Sequence, residues 1–248
     1  MKTFVLRSKV FSEEDFYKTQ EENLLKHFHN GGRHNMSVAD SSFDTWLDGY
    51  VQGVPNRKVS IYTEGALCAL MLDIHIMDYT NGNDSLRDLM TKLYDEYAIK
   101  GKPLAEEDYI HELIQYGGPD TLKIIESYIY GTKDFRIALD KSLSVVGLKI
   151  EESENTDFFA SRLGLKGHIK EAIFHVKQVD INSVSDDMCI AVGDEILAIN
   201  SKPITKELQK SLNIKKNKRI VLKVKRRFET IDIELVIKNR YHLSLIHI

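Results

Sequence analysis

Residues 55–73 read Pro-Asn-Arg-Lys-Val-Ser-Ile-Tyr-Thr-Glu-Gly-Ala-Leu-Cys-Ala-Leu-Met-Leu-Asp, and this stretch decides the fold of the first half of the chain. Ser60 is a residue type that favours helix N-caps, and apolar residues recur after it at helical spacing. The turn Asn81-Gly82 supplies the residue types that end helices. The pattern therefore predicts a long apolar helix over residues 60–79, with Tyr62 at its entrance.

Further amphipathic helices are predicted around this one within residues 1–140. Ser12, which is followed by three acidic residues, and Ser37 each mark a helix start. Short loops between amphipathic helices favour antiparallel packing. These predicted helices lie at about residues 12–30, after Ser37, and at about 84–100, 105–116 and 120–130.

The sequence period changes from 3.6 to 2 after about residue 141. Residues 220–225 and 231–236 alternate apolar and polar side chains around a short polar turn, which predicts a β-hairpin. A further strand is predicted at 195–199 and a short helix at 205–212. The predicted fold class is therefore α+β, with an all-α helical module followed by a small, mostly β module.

Composition agrees with two modules. The chain has 248 residues, of which 42% are hydrophobic and 29% charged, and its net charge is −3. Residues 1–140 carry 15 Lys and Arg against 23 Asp and Glu, whereas residues 141–248 carry 19 against 14. This change of sign predicts modules with different surfaces. The sequence predicts no membrane span and no signal peptide, and two cysteines are too few for a disulfide framework.

The segment Tyr62-Thr63-Glu64-Gly65 resembles the Tyr-x-Lys-Gly motif of gluzincin metallopeptidases, and its flanks resemble the glycyl aminopeptidase family in particular. The resemblance extends over residues 4–150, where several short motifs follow the family's order and spacing. These motifs are Ser12 to Phe16, Gly32-Arg33, Ser41 to Trp46, Asn81 to Leu86, Glu106 to Tyr109 and Tyr130 to Thr132. The resemblance implies that the helical module is the C-terminal part of a thermolysin-like catalytic domain.

The family's activity is zinc-dependent removal of N-terminal glycine or alanine from peptides. The resemblance implies that Tyr62 is catalytic and donates a hydrogen bond to the oxyanion that develops on the scissile carbonyl. One such donor is worth about 10²–10³ in rate. Glu64 stands where the family has lysine, and we expect this to reverse a charge near the site.

The zinc ligands that the resemblance implies, in a His-Glu-x-x-His motif, are missing. The nearest string is His111-Glu112-Leu-Ile-Gln115, which lacks the second histidine and is interpreted as helix surface. His27, His29 and His34 are interpreted as a solvated helix end. The sequence thus predicts no metal ligand and no cofactor in this chain, with zinc implied for a longer parent protein. The chain alone is predicted to be inactive and to begin just after the ligands.

Residues 192–200, Val-Gly-Asp-Glu-Ile-Leu-Ala-Ile-Asn, resemble the central strand region of PDZ domains, and the resemblance covers about 142–237. Such domains bind extended peptides by adding a strand to a sheet edge. The resemblance implies a small β-barrel or sandwich at residues 141–242, with peptide-binding residues Phe159, Ala160 and Leu163 and the C-terminal peptide of a partner as ligand. The usual glycine of the carboxylate-binding loop is absent.

The remaining patterns concern nucleic-acid binding, the C-terminal residues and the cellular location. Basic residues of the hairpin alternate with Leu222 and Val224, as on the solvated face of a strand, so no nucleic acid is predicted as a partner. Residues 243–248, Leu-Ser-Leu-Ile-His-Ile, match a translated sequencing adapter and are predicted to be a non-native tail. Family resemblance suggests a periplasmic or cell-envelope location.

Two functions remain open at this point. One is a fragment of a zinc aminopeptidase, acting on peptide or protein substrates and joined to a PDZ module. The alternative is a non-catalytic protein whose helical and PDZ modules bind peptides or another protein.

Overall fold

The computed structural model describes residues 12–48, 56–153, 157–213, 219–237 and 245–247. The chain divides into two compact units. One comprises residues 1–151 with 246–248 and is called the helical unit below, and the other comprises 152–245 and is called the sheet unit. The α+β class predicted from the sequence is confirmed, with the helices first and the sheet after them.

The described part of the helical unit is built mainly from α-helices. Their bounds are α1 Glu13–Phe28, α2 Val38–Asp48, α3 Ile61–Tyr79, α4 Leu86–Leu93, α5 Glu106–Gly117, α6 Thr121–Ile124 and α7 Arg136–Val145. A 3₁₀ turn, Gly31–His34, follows α1, and π-helical turns extend α4 over Tyr94–Ala98 and α6 over Ile125–Ile129. Helix α7 crosses residue 140, where the sequence places the end of the helical module.

The predicted N-cap residues start their helices. The Ser12 hydroxyl accepts a hydrogen bond from Asp15 N at 3.1 Å, and the Asp15 carboxylate accepts one from Ser12 N at 3.3 Å. This reciprocal capping box satisfies two N–H groups that α1 cannot bond internally. Ser37 and Ser60 cap α2 and α3 through their hydroxyls, which accept hydrogen bonds from Asp40 N at 3.0 Å and from Thr63 N at 3.4 Å.

Helix α3 lies at the centre of the helical unit because its side chains enter two cores. One core contains residues of α1 and α7 together with five residues of α3, which are Leu67, Cys68, Leu70, Met71 and Ile74. The other contains Leu72 and Ile76 with residues of α4, α5 and the π-helical turn at 125–129. A helix that is buried on several sides must be apolar nearly all round, which explains its sequence.

The two cysteines have different environments. Cys68 is buried in α3, and its burial, followed by the nearby Glu64, raises the pKa of its thiol to about 12. Cys189 is exposed and adopts a left-handed φ of 56°.

The sheet unit contains five antiparallel strands in the order β2-β3-β4-β5-β6. The strands are β2 Leu165–Lys170, β3 Ile173–Val179, β4 Glu195–Ile199, β5 Arg219–Arg226 and β6 Glu229–Val236. Two short helices, α8 Val184–Asp187 and α9 Lys206–Asn213, complete the unit. The predicted hairpin corresponds to β5 and β6, and the predicted strand at 195–199 is β4.

One continuous apolar core fills the sheet unit. It includes Phe159, Phe174, Ile196, Leu222 and Ile233, with other side chains from every strand of the five-stranded sheet. The alternation of buried and exposed residues along β5 produces this core, since every second side chain points inward. The basic residues Lys223 and Lys225 alternate with them and are exposed.

Two of the ion pairs in the sheet unit involve carboxylates that are buried or half-buried. Asp194 is 2% exposed, and both of its carboxylate oxygens accept hydrogen bonds from Arg226, at 2.9 and 2.7 Å. Lys166 Nζ lies 3.4 Å from Asp180 Oδ1. Burial raises the pKa of Asp180 and lowers that of Lys166, so here the cost of removing charge from water exceeds the attraction between the partners.

Strands β1 Glu151–Ser153 and β7 Leu245–His247 form a separate two-stranded sheet. Part of the predicted non-native tail therefore pairs with the chain, while residues 243, 244 and 248 lie outside the described residues. Within the described segments, no helix is both long and apolar enough to cross a membrane.

Candidate active site

Tyr62 occupies the first turn of α3 and is 67% exposed. Gly65 follows it one helical turn later, so both lie on the same side of the helix. A Cβ atom placed on Gly65 would meet none of the described atoms around it within 4 Å. Among the described residues, the helix surface at Gly65 therefore leaves room for a further atom beside α3.

Glu64 points in the opposite direction. Residues two apart on a helix project from nearly opposite sides, and the side chain of Glu64 is only 2% exposed. The expectation that Glu64 reverses a charge near the site is wrong, because its carboxylate lies in the interior of the helical unit rather than beside the Tyr62 ring.

The partner of Glu64 is His27, near the end of α1. Their Nδ1 and Oε2 atoms are 2.6 Å apart, and His27 is 1% exposed. The interpretation of His27, His29 and His34 as a solvated helix end is therefore wrong for His27. His34 lies in the 3₁₀ turn that follows, where burial and then the nearby Arg33 lower the pKa of its imidazole.

A pattern in the sequence could have revealed this burial. Gln20, Leu24 and His27 lie four and three residues apart, and all three are buried on one stripe of α1. The identity of the partner carries no such signal, since Glu64 lies 37 residues further along the chain.

Residues from two of the quoted motifs contact the segment that precedes Tyr62. Gly32 packs so close to this segment that a Cβ there would lie 2.5 Å from Lys58 O. Val59 N donates a hydrogen bond to the Ser41 hydroxyl at 3.3 Å, and Arg57 pairs with Asp44 at 2.5 Å. The chain entering α3 is thus fixed by the turn after α1 and by helix α2.

Helix α2 presents an aromatic face to solvent. Phe43 and Trp46 lie one turn apart and are 77% and 89% exposed, whereas Ser41 and Thr45 on the other side of the helix are buried. Large aromatic side chains that are exposed on adjacent turns of one helix are typical of interaction sites.

The residues that the structure describes do not form a site for a zinc ion. Among the described residues, no group of three or more His, Cys, Asp and Glu side chains is arranged to hold a metal. His111 is exposed on α5, and the Glu112 carboxylate accepts a hydrogen bond from Lys92 Nζ at 2.6 Å. His27 and Glu64 are bonded to each other in the interior.

In the sheet unit, the predicted peptide-binding residues Phe159, Ala160 and Leu163 belong to a π-helical turn, Phe159–Leu163, directly before β2. All three side chains are buried, and the Phe159 ring stacks on Phe174 with ring centroids 3.8 Å apart. Their side chains thus build the core, and any contact of this turn with a peptide would be made by its backbone.

The comparisons with known proteins agree with part of this picture. The sequence profile of the M61 glycyl aminopeptidase family matches residues 1–68, a segment that includes Tyr62 and Gly65. No curated protein sequence matches the chain.

Among solved structures, the chain is similar to an aminopeptidase N family protein from Idiomarina loihiensis, with a TM-score of 0.85 and 24% sequence identity. The alignment covers 96% of this chain and 43% of that protein, so the chain spans less than half the length of this relative. An HtrA-type protease solved with a decapeptide aligns to 44% of this chain and 35% of its own, with 17% identity and a TM-score of 0.27, too low to support a structural argument.

Proposed function

We propose that this chain is part of a zinc aminopeptidase that removes N-terminal glycine or alanine from peptides, and that Tyr62 is its oxyanion donor. The observation that carries the proposal is the position of Tyr62, which lies exposed in the first turn of α3 within the segment that matches the M61 family profile. The similarity in fold to an aminopeptidase N family protein supports the same assignment.

The chemistry assigned to this chain is limited to Tyr62 and its surroundings. A phenol hydroxyl donates a hydrogen bond to the carbonyl oxygen of the scissile bond, and the bond strengthens as that oxygen becomes negative. Such a donor is effective only if it is held in place before the reaction, and the contacts of residues 57–60 with α2 supply that support.

Zinc belongs, under this proposal, to residues outside those that the structure describes. No catalytic step of this chain is assigned to it, because the described residues do not form a site for it. Purified alone, the chain should retain no stoichiometric zinc and should not hydrolyse a glycyl anilide. Turnover that a chelator abolishes would contradict this part of the proposal.

The decisive experiment begins with the DNA that flanks this coding sequence. We expect an in-frame His-Glu-x-x-His motif, followed by a glutamate ligand, ahead of residue 1. In the longer enzyme, Tyr62→Phe should lower kcat by about 10²–10³ and leave KM and zinc content nearly unchanged. Tyr94→Phe, at a similarly exposed position in the π-helical turn 94–98, is the matched control and should retain activity. Full activity of Tyr62→Phe would refute the role of Tyr62.

A second candidate function is peptide binding by the sheet unit, and its support is the position of β2. This strand is at the end of the five-stranded sheet, paired with β3 on one side. An edge strand can bind an extended peptide through backbone hydrogen bonds. Titration of the chain with a C-terminal peptide library, read by NMR shifts of residues 165–170, tests this function; shifts confined to other strands would contradict it.

A periplasmic or cell-envelope location belongs to the proposal for the whole enzyme and stays a prediction.

A further inference from the structure

The buried pair of His27 and Glu64 connects two elements that the chain does not connect locally. His27 is near the end of α1, and Glu64 is in the first turn of α3, two residues after Tyr62. The 2.6 Å separation of Nδ1 and Oε2 requires a proton between them. The pair therefore holds the entrance of α3 to α1 by a short, directional bond.

The surroundings of His27 fix the direction of that bond. Its ring stacks on Phe135 with centroids 4.5 Å apart and meets Phe28 edge-to-face at 4.7 Å. Its Nε2 atom is buried and makes no hydrogen bond within the described part of the chain. Contact with the Phe135 and Phe28 rings restricts rotation of the imidazole, which keeps Nδ1 directed at Glu64.

Removing such a pair from water costs free energy, so its presence in the interior suggests a role other than stability. Replacing a buried ion pair by apolar residues of similar size is often neutral or stabilising, whereas removing one partner is strongly destabilising. What an apolar contact lacks is direction, because it tolerates rotation and sliding of one helix on another. A hydrogen bond of 2.6 Å does not.

We propose that His27 and Glu64 are positioning residues, which orient the first turn of α3 and so fix where Tyr62 projects. The consequence for catalysis rests on the proposed function, while the orientation itself is a property of this chain. Position 64 is inward-facing, so Glu64 does not compromise Tyr62 but anchors it.

The test separates orientation from stability by three variants of the full chain. Glu64→Gln keeps the shape and weakens the bond; Glu64→Leu with His27→Leu makes the contact apolar; Glu64→Lys with His27→Asp reverses the pair. Hydrogen exchange of the amides at 61–68 is compared with that at 71–79 of the same helix, and the Tyr62 ring is followed by NMR with Tyr62→Phe for assignment.

We expect Glu64→Gln to speed exchange at 61–68 about tenfold, as for the weakening of one hydrogen bond to a charged group, and to shift the Tyr62 ring signals, with little change at 71–79. The apolar pair should recover the midpoint of urea unfolding but not the slow exchange or the Tyr62 signals, whereas the reversed pair should recover both. Thr91→Ala, on α4 and exposed, is the control and should alter neither.

Two results would overturn the proposal. One is unchanged exchange and unchanged Tyr62 signals in Glu64→Gln. The other is recovery of the slow exchange and of the Tyr62 signals by the apolar pair, which would show that any side chains that fill this space orient α3 equally well. These readouts need no enzyme activity, so they stand or fall separately from the peptidase assignment. In the longer enzyme, Glu64→Gln should lower kcat and leave KM unchanged. If Tyr62→Phe lowers kcat but Glu64→Gln does not, the proposed effect of the pair on catalysis is refuted.

Discussion

The two units distribute their apolar side chains differently. In the sheet unit a single cluster gathers side chains from all five strands, and its exposed apolar residues are scattered. The helical unit divides its interior into two clusters, to both of which α3 contributes, and leaves Phe43, Trp46 and Tyr62 exposed. Single exposed apolar residues are common on protein surfaces, whereas two large aromatic side chains exposed one turn apart form a contiguous patch that is typical of an interaction site. The patch formed by Phe43 and Trp46 on α2 therefore distinguishes the helical unit.

The largest expected effect comes from opening either core. Leu67→Ala in α3 and Leu222→Ala in β5 each remove a side chain that is fully buried, and each should cost about 2–5 kcal/mol. Urea unfolding followed by circular dichroism measures the loss, and hydrogen exchange shows which unit opens. Ile137→Ala, at a largely exposed position, should stay within about 0.5 kcal/mol. A loss at Leu67 no larger than at Ile137 would contradict the central place given to α3.

The next effect concerns the buried carboxylate of the sheet unit. Asp194→Ala leaves Arg226 without its bidentate partner and Ala191 N without its acceptor, and should cost about 2–3 kcal/mol. Asp120→Ala is the counterpart in the helical unit, and it should produce no measurable change, because the Asp120–Lys123 pair is largely in solvent. Equal losses at both positions in urea unfolding would show that burial does not decide the strength of these pairs.

The pH dependence of the two units should differ in sign at two carboxylates. Burial raises the pKa of Asp180 above 3.8, so its contribution to stability falls as pH rises from 3.8 through the folded-state pKa. The Ser85 hydroxyl lowers the pKa of Asp88, so its contribution is present above 3.8 and is lost as pH falls through the folded-state value.

Urea midpoints measured between pH 3 and pH 7 test these signs. Relative to the wild type, Asp180→Asn should gain stability as pH rises, and Asp88→Asn should lose it. Parallel curves for wild type and Asp180→Asn would contradict the effect assigned to burial.

The smallest effect on stability, and the sharpest test of the comparison, concerns the aromatic face. Trp46→Ser should change the free energy of unfolding by less than about 0.5 kcal/mol, since the side chain is largely in water. It should nevertheless reduce self-association in sedimentation experiments, because it removes part of an exposed apolar surface. Phe228→Ser, at a fully exposed turn of the sheet unit, is the matched control. Equal changes in association from both variants would mean that the α2 face is not distinctive.

Local pattern predicted the elements of this fold well. The apolar run after Ser60 predicted α3, and alternation in residues 220–236 predicted the β5–β6 hairpin. In both segments the spacing of apolar residues can be read from the local sequence alone. The exposed position of Tyr62 follows from the same helical geometry.

The contacts between distant segments could not be predicted in this way. Glu64 was expected near the site because it follows Tyr62 in a motif, yet its orientation depends on His27 in another helix. Likewise, Phe159 and Leu163 occupy the place of a binding loop in order along the chain, but their apolar side chains stabilise the sheet unit more when they are buried. In both cases burial depends on packing between segments that are distant in sequence. The spacing of apolar residues within one segment does not show which other segment packs against it.

The contrast between the two thiols has a practical consequence. Alkylating and maleimide reagents attack the thiolate, and at neutral pH almost none is present at Cys68, because burial and the nearby Glu64 raise its pKa to about 12. Cys189 is exposed. The wild-type chain should therefore accept a single fluorophore or spin label, on the sheet unit and at one known residue, without removal of either cysteine.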